Sequence, residues 1–466
     1  MKNRILLSFA CIVAILAACT KTGDTPADKT VTPEVASSTV ADGATGIDLD
    51  LGVIDLVFNT SITLKDASKI SMGGVSLETA VSNKRLRISF GTLEYGKQYN
   101  LSLAAGAVAS ADGSLNKAYS LNFTTEEKYI DPDEPIVDPD ATIPSAPVTK
   151  DAITNSKKLY TYLKDDVWGK KTLSAAMAKV AWNIEEAEWI HDHTGKYPAI
   201  ATFDYIHLLS SAPGSWINYG DITVAKDWFD NGGIVSIGWH WNVPKKQGST
   251  DYDFYANGNS FQAKNVPVSG TWENSVATAD LDKVAGYLLQ LQAEGIPVIW
   301  RPLHEAAGKW FWWGAQGGDA YRALWIFVFD YLKKKGVKNL IWVWTTETSS
   351  TTSKDWSYYP GDEYVDIVGR DIYNVGSANS VAGQFSTISG YWPQKMVALS
   401  ECGNVADMSA QWNAGAKWLF FMPWYDNNLD GSRDFAHDHA NISWWVRSFA
   451  NEAVITRDEL PSDLYE

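Results

Sequence analysis

The run Trp300–Gly314, WRPLHEAAGKWFWWG, decides how the rest of the chain is read. An apolar strand, Ile296 to Trp300, leads straight into Arg301, His304 and Glu305, so the chain passes from packed core to reactive polar groups within a few residues. In a parallel α/β barrel that crossing happens at the C-terminal strand ends, where catalytic groups gather. Trp310, Trp312 and Trp313 follow within reach of the His-Glu pair. Clustered aromatic faces beside a carboxylate suit a cleft that handles sugar rings better than a polar collar on ordinary core packing.

The same grammar of amphipathic helix, glycine and short apolar strand recurs on both sides of this run. Leu281, Val284, Leu288 and Leu291 fall on one helical face before Gly295; Tyr321, Leu324, Val328 and Tyr331 do so before Gly336 and a strand at Leu340–Trp344. Gly232-Gly233 precede a strand at Ile234–Gly238, and Gly195 precedes one at Tyr197–Phe203. Further strands are expected at Val365–Asp371, Met396–Glu401 and Lys417–Trp424, with a first near Thr172–Val180. Eight alternating units over about 300 residues favour a (β/α)8 TIM barrel over an open doubly wound sheet. The barrel domain is placed at 151–466.

Residues 30–125 carry a different period. Ile54, Leu56 and Phe58, then Leu86, Ile88 and Phe90, Tyr99, Leu101 and Leu103, and Tyr119, Leu121 and Phe123 alternate with polar neighbours. Turn signals at Asn83-Lys84, Tyr95-Gly96 and Asp112-Gly113 separate them, the pattern of a small all-β sandwich. It looks like a bacterial immunoglobulin-like domain and is read as a spacer. Residues 126–150 hold five prolines and seven acidic side chains, an extended, self-repelling linker without a core of its own.

At the start of the chain, Lys2 and Arg4 precede an apolar run ending Leu16-Ala17-Ala18-Cys19. Residues 1–18 read as a secretion signal whose small final residues resemble a bacterial lipobox. Cys19 then becomes the lipidated first residue, with 19–29 as a polar tether, and the acyl chains bind a membrane. The expected location is the cell envelope, at the outer membrane or cell surface. Of the three cysteines only Cys402 remains in the mature fold, so no intrachain disulfide is available.

A formal net charge of −16 and a pI near 4.9 exclude a phosphate-backbone partner, which needs clustered Lys and Arg. The 22 Trp and 21 Tyr instead offer flat apolar faces with a polar edge, a match for the C–H face of a sugar. His191-Asp192-His193 and His437-Asp438-His439 show no open coordination set and are read as solvated loop residues. No metal and no cofactor is expected, and the chain is expected to act as a monomer.

The run around Glu305 resembles the glycoside hydrolase family 26 β-mannanases, whose acid/base glutamate follows a histidine and is followed by a stretch ending Trp-Phe-Trp-Trp-Gly. Here those residues are His304, Glu305 and Trp310 to Gly314, and the resemblance spans about Thr172 to Asn451. It implies retaining hydrolysis of β-1,4-mannan-type polysaccharides with Glu305 as acid/base and Glu401, in the run ALSECG, as nucleophile. His240 matches a sugar-contacting histidine, Asp371 and Tyr373 match an Asp-x-Tyr whose tyrosine sits beside the nucleophile, and Trp424 would form the floor under the reacting sugar. His304 and Trp310 complete the expected substrate-binding set, and Asp204 or Tyr205 is a further candidate for the cleft. Alternatives are a β-glycanase acting on xylan or mixed-linkage glucan, or a non-catalytic glycan-binding surface protein.

Overall fold

The computed structural model describes residues 31–49, 51–126, 137–138, 140–179, 181–209, 216–347, 352–426 and 437–466. The expected signal sequence and Cys19 lie outside the described residues. The chain divides into two compact units, Met1–Tyr129 and Ile130–Glu466.

In the first unit the alternating runs form two four-stranded sheets. One holds Val35–Ser38, Val53–Phe58, Arg85–Ser89 and Glu78–Ser82; the other holds Ala44–Ile47, Tyr119–Thr125, Gln98–Leu103 and Ile70–Met72. Ile54, Leu56, Leu86, Ile88, Leu101 and Leu121 are fully buried between them, as period-two alternation requires of a sandwich. Asp55, between Ile54 and Leu56 and so on the opposite face of the sheet, is also buried, and Arg87 supplies it with two hydrogen bonds, at 2.9 and 3.0 Å.

The second unit is a closed parallel barrel. Its strands, numbered within the barrel, are β1 (Thr172–Met177), β2 (Ile200–Asp204), β3 (Ile234–Trp239), β4 (Val298–Pro302), β5 (Leu340–Glu347), β6 (Ile367–Tyr373), β7 (Met396–Gly403) and β8 (Phe420–Pro423). Each pairs with the next, and β1 pairs with both β2 and β8. The helices stop where the sequence places glycine: Gly295 and Gly336 sit at φ +72° and +88°, a conformation that costs a residue with a Cβ.

Alternation along the strands divides the core in two. Leu173, Ala175, Met177, Ile299, Ile341, Val343, Ile367, Met396, Ala398 and Phe420 form one cluster inside the barrel. Their neighbours Val298, Trp300, Trp342, Trp344, Val368 and Val397 pack outward against the helices. No helix among the described residues is long and apolar enough to cross a membrane.

The expected linker does not run free to Lys150. The Tyr160 hydroxyl donates to the Pro144 carbonyl at 3.0 Å, and the Val148 N–H donates to Asp366 Oδ1 at 2.8 Å. Ile143 and Val148 lie against the barrel's two apolar clusters. Acidic, proline-rich composition predicts an extended chain, but two apolar side chains near its end suffice to dock the last turns on the barrel.

Candidate active site

Going up the barrel axis, the inward positions change from apolar to polar in one layer. Arg301 follows Ile299 on β4, Thr345 follows Val343 on β5, and Asp371 and Tyr373 follow Gly369 on β6. On β7, strict alternation from Met396 and Ala398 would bring Ser400 inward and turn Glu401 out toward the helices. The register shifts instead: Arg370 pairs with Leu399, and Asp371 pairs with Glu401. This bulge leaves Ser400 unpaired and brings both side chains to the interior. The Ser400 hydroxyl donates to Asp371 Oδ1 at 2.7 Å. Gly369 is the residue that makes room, since a Cβ there would lie 2.3 Å from Ser400 Oγ.

Glu305 arrives by a strained turn. Leu303 and Glu305 have φ of +52° and +54°, each costing a non-glycine residue about 1–3 kcal/mol. The turn is held by Tyr321, whose hydroxyl donates to the Leu303 carbonyl at 2.9 Å, and by Trp313, whose indole donates to the His304 carbonyl at 2.8 Å. The Glu305 N–H donates to the Thr345 carbonyl at 3.3 Å. Gly314 closes against it, because a Cβ would sit 1.9 Å from the Ala306 carbonyl oxygen. The tryptophans after Glu305 therefore divide their work: Trp312 and Trp313 are buried anchors, while the partly exposed Trp310 donates to Glu305 Oε2 at 3.1 Å.

Carboxylate oxygens of Glu305, Asp371 and Glu401 come within 4.8 Å of one another. A cation could bridge such a trio, and the Arg301 guanidinium already supplies one: Nη2 donates to Glu401 Oε2 at 3.0 Å and also to Asp371. Nε donates to Thr345 Oγ1 at 3.2 Å. Burial works against the Arg301 charge, but Asp371, Glu401 and Glu305 outweigh it and hold the guanidinium above its ordinary value. The second oxygen of Glu401 accepts from the Tyr373 hydroxyl at 2.5 Å, so this carboxylate is fixed by a donor at each oxygen. Burial, then the charges of Asp371 and Glu401, push the Glu305 carboxyl well above the usual carboxylate range, with Arg301 and the Trp310 N–H pulling weakly the other way. One carboxyl kept protonated beside one fixed on donors is the division that acid catalysis with nucleophilic attack requires. Their spacing leaves no room for the extra water of a single displacement.

The remaining expected residues gather around this pair, with different tasks. His240 Nδ1–H donates to Asp204 Oδ2 at 2.5 Å, and the His240 backbone N–H donates to Oδ1 at 2.9 Å. Asp204 thus positions His240, while Tyr205 is fully buried core. The His304 ring lies 4.3 Å from that of His240. Burial, Arg301 and His240 together hold its pKa well below the ordinary histidine value, which favours the neutral imidazole. Trp424 is half-buried, its ring 5.6 Å from His240. Arg301 stands out in the sequence as a polar group at a strand end, but its bridge to Asp371 and Glu401 does not, and Ser400 and Thr345 carry no local signal at all.

The histidine pairs are not solvated loops. His191 stacks on Tyr197 and His193 donates to the Trp189 carbonyl at the end of the helix Glu185–Thr194. His437 is buried and donates to Glu186. Cys402 is buried with its thiol pushed up by burial, as expected of a small hydrophobe.

Residues 148–459 match the family described as Glycosyl hydrolase family 26. The chain belongs to that family. Residues 29–125 match the bacterial Ig-like domain. Among similar proteins, mannan endo-1,4-beta-mannosidase B of Piromyces sp is 33% identical over 320 residues, 67% of this chain and 53% of its own. The chain therefore spans about half the length of that enzyme. The GH26 domain of a Prevotella bryantii endo-beta-mannanase/endo-beta-glucanase superposes with a TM-score of 0.64 at 41% identity, over 68% of this chain and 100% of that one. A beta-mannanase from a symbiotic protist of the termite Reticulitermes speratus, solved with a gluco-manno-oligosaccharide, gives 0.60 at 34% identity over 69% and 99%.

Proposed function

We propose that the barrel is a retaining β-mannanase that cleaves β-1,4-mannosidic linkages in mannan, glucomannan or galactomannan by double displacement. The observation that carries this reading is the approach of the Glu305 and Glu401 carboxylate oxygens to within 4.8 Å, near the separation typical of retaining enzymes and short of that of inverting ones. Glu401 attacks the anomeric carbon as the glycosidic bond breaks, and Glu305 passes its proton to the departing oxygen. Glu305, now ionised, takes a proton from water, whose oxygen displaces Glu401 and restores the starting state. Trp424 orders the sugar by stacking, and His240 reads its hydroxyls. The names of the relatives support mannan as substrate. The test is product analysis on mannan, galactomannan, xylan and glucan side by side, following the anomer first released by NMR. Faster cleavage of xylan or glucan would remove the substrate assignment, and initial release of the α-anomer would remove the mechanism.

The Glu305–Trp310 contact yields a pH prediction. The indole N–H favours the ionised carboxylate, so Trp310→Phe should raise the Glu305 pKa further. The alkaline limb of kcat/KM, where the acid is lost, should move to higher pH, with the maximum falling less than about tenfold. A limb that stays in place or moves to lower pH contradicts Glu305 as the acid.

We further propose that Cys19 is lipidated and that the sandwich and linker hold the barrel away from a membrane. The basic, apolar and small-residue order of residues 2–19 supports this. Cys19→Ser should lose labelling by radioactive palmitate and membrane association in cell fractionation; persistence of both refutes it.

A further inference from the structure

Trp216 is 59% exposed, far more than a residue of its apolar area usually is. It lies in the connection that follows β2, on the same end of the barrel as the catalytic layer. Its ring rests against His207, centroids 4.2 Å apart, which supports the indole from one side and leaves much of the side chain to solvent. His207 is itself fixed: its N–H donates to the Tyr219 hydroxyl at 3.1 Å. The preceding carbonyl, of Ile206, accepts from the Asn242 amide, which ties this loop to the end of β3 two residues beyond His240. Three residues before His207 in the chain is Asp204, the carboxylate that orients His240.

From this arrangement we infer that Trp216 is the platform of a distal sugar subsite, taking a hexopyranose ring of the same polysaccharide chain that lies across Glu305 and Glu401. The inference rests on the proposed glycan hydrolysis and extends it outward along the cleft. A flat, propped indole on the rim, joined through Asn242 and Asp204 to the His240 end of the cleft, presents the apolar face that a pyranose C–H face covers. Such a subsite is filled only by chains long enough to reach from the catalytic layer to the rim. It gives binding to ground state and transition state alike, so its loss appears in KM rather than kcat.

The test compares Trp216→Ala, Trp216→Tyr and wild-type full-length protein across manno-oligosaccharides of increasing length. With Trp216→Ala, kcat/KM on mannohexaose should fall about tenfold through KM, as expected for loss of one stacked ring. On the shortest oligosaccharide that the wild type cleaves, the change should stay within about twofold, because that substrate does not reach the rim. Trp216→Tyr should recover most of the loss. Equal losses at every length would show structural damage and overturn the inference, as would an unchanged value on mannohexaose. If the wild-type chain cleaves no manno-oligosaccharide, the mannanase reading is what fails. The same length series of whichever β-glycan it does cleave then decides Trp216.

Discussion

Glu401→Ala is expected to abolish turnover of every substrate, whereas Glu305→Ala is expected to be selective. Glu401, fixed by Tyr373 and Arg301, is the nucleophile in the proposed mechanism; without it no glycosyl-enzyme should form, and loss of at least about 10⁴-fold is expected for good and poor leaving groups alike. In that mechanism Glu305 supplies a proton, a service that an activated aryl β-mannoside does not need. Glu305→Ala should lose about 10³-fold or more on mannan yet still react with the aryl substrate. Because the same residue must then activate water, hydrolysis of the ester should be slow. A burst of phenolate, a trapped adduct on Glu401 detectable by mass spectrometry, and rescue by azide are the expected signatures. An adduct in Glu401→Ala, or a Glu305→Ala enzyme inert toward the aryl substrate, would reverse the assignment.

The second large effect is expected at Arg301. It is 4% exposed and serves two buried carboxylates at once. Arg301→Met leaves them without their cation, and breaking a buried pair by removing one partner costs about 3–5 kcal/mol. Activity should fall at least about 10³-fold, because the orientation of Glu401 is lost. The pH dependence has a definite sign. Burial, Arg301 and Glu401 together leave the Asp371 carboxyl raised above its ordinary value, with Arg301 pulling it down. Removing that pull raises it further. A buried acid with a raised folded pKa contributes stability that is present below its unfolded pKa and lost as pH rises through the folded value. The deficit in Tm of Arg301→Met against wild type should therefore widen from pH 5 to pH 8, and adding Asp371→Asn should recover part of it without restoring activity. Equal melting at pH 8 would contradict the buried bridge.

Much of the site was legible in the sequence because it lies where a local pattern ends. The strands are short apolar runs, four of them after a glycine, and the first polar residues beyond them fall at one end of the barrel by topology alone. The strand ends bring Glu305, Glu401, His240, Asp371, Tyr373 and Trp424 to one face, and the resemblance to family 26 picks them out among the polar residues there. What misled was composition used in place of contact. Trp312 and Trp313 look like sugar platforms but are anchors, the histidine pairs look solvated but are bonded into the fold, and the acidic linker looks free but docks through Ile143 and Val148.

By itself, then, the sequence determined the sandwich, the eight-stranded barrel and the order of the strands, because periodicity and glycine placement are local properties; the choice of Glu305 and Glu401 came from the resemblance to family 26. Only the tertiary structure decided that the two glutamates can act together. Alternation from Met396 would turn Glu401 outward; the bulge at Ser400 turns it in, and Gly369 on the neighbouring strand leaves the space for it. The left-handed turn that aims Glu305 is held by Tyr321, Trp313 and Thr345, residues 8 to 40 positions away in the chain. Register against a partner strand, and strain held by distant donors, are properties of pairs of segments, and no window of sequence contains both members of those pairs.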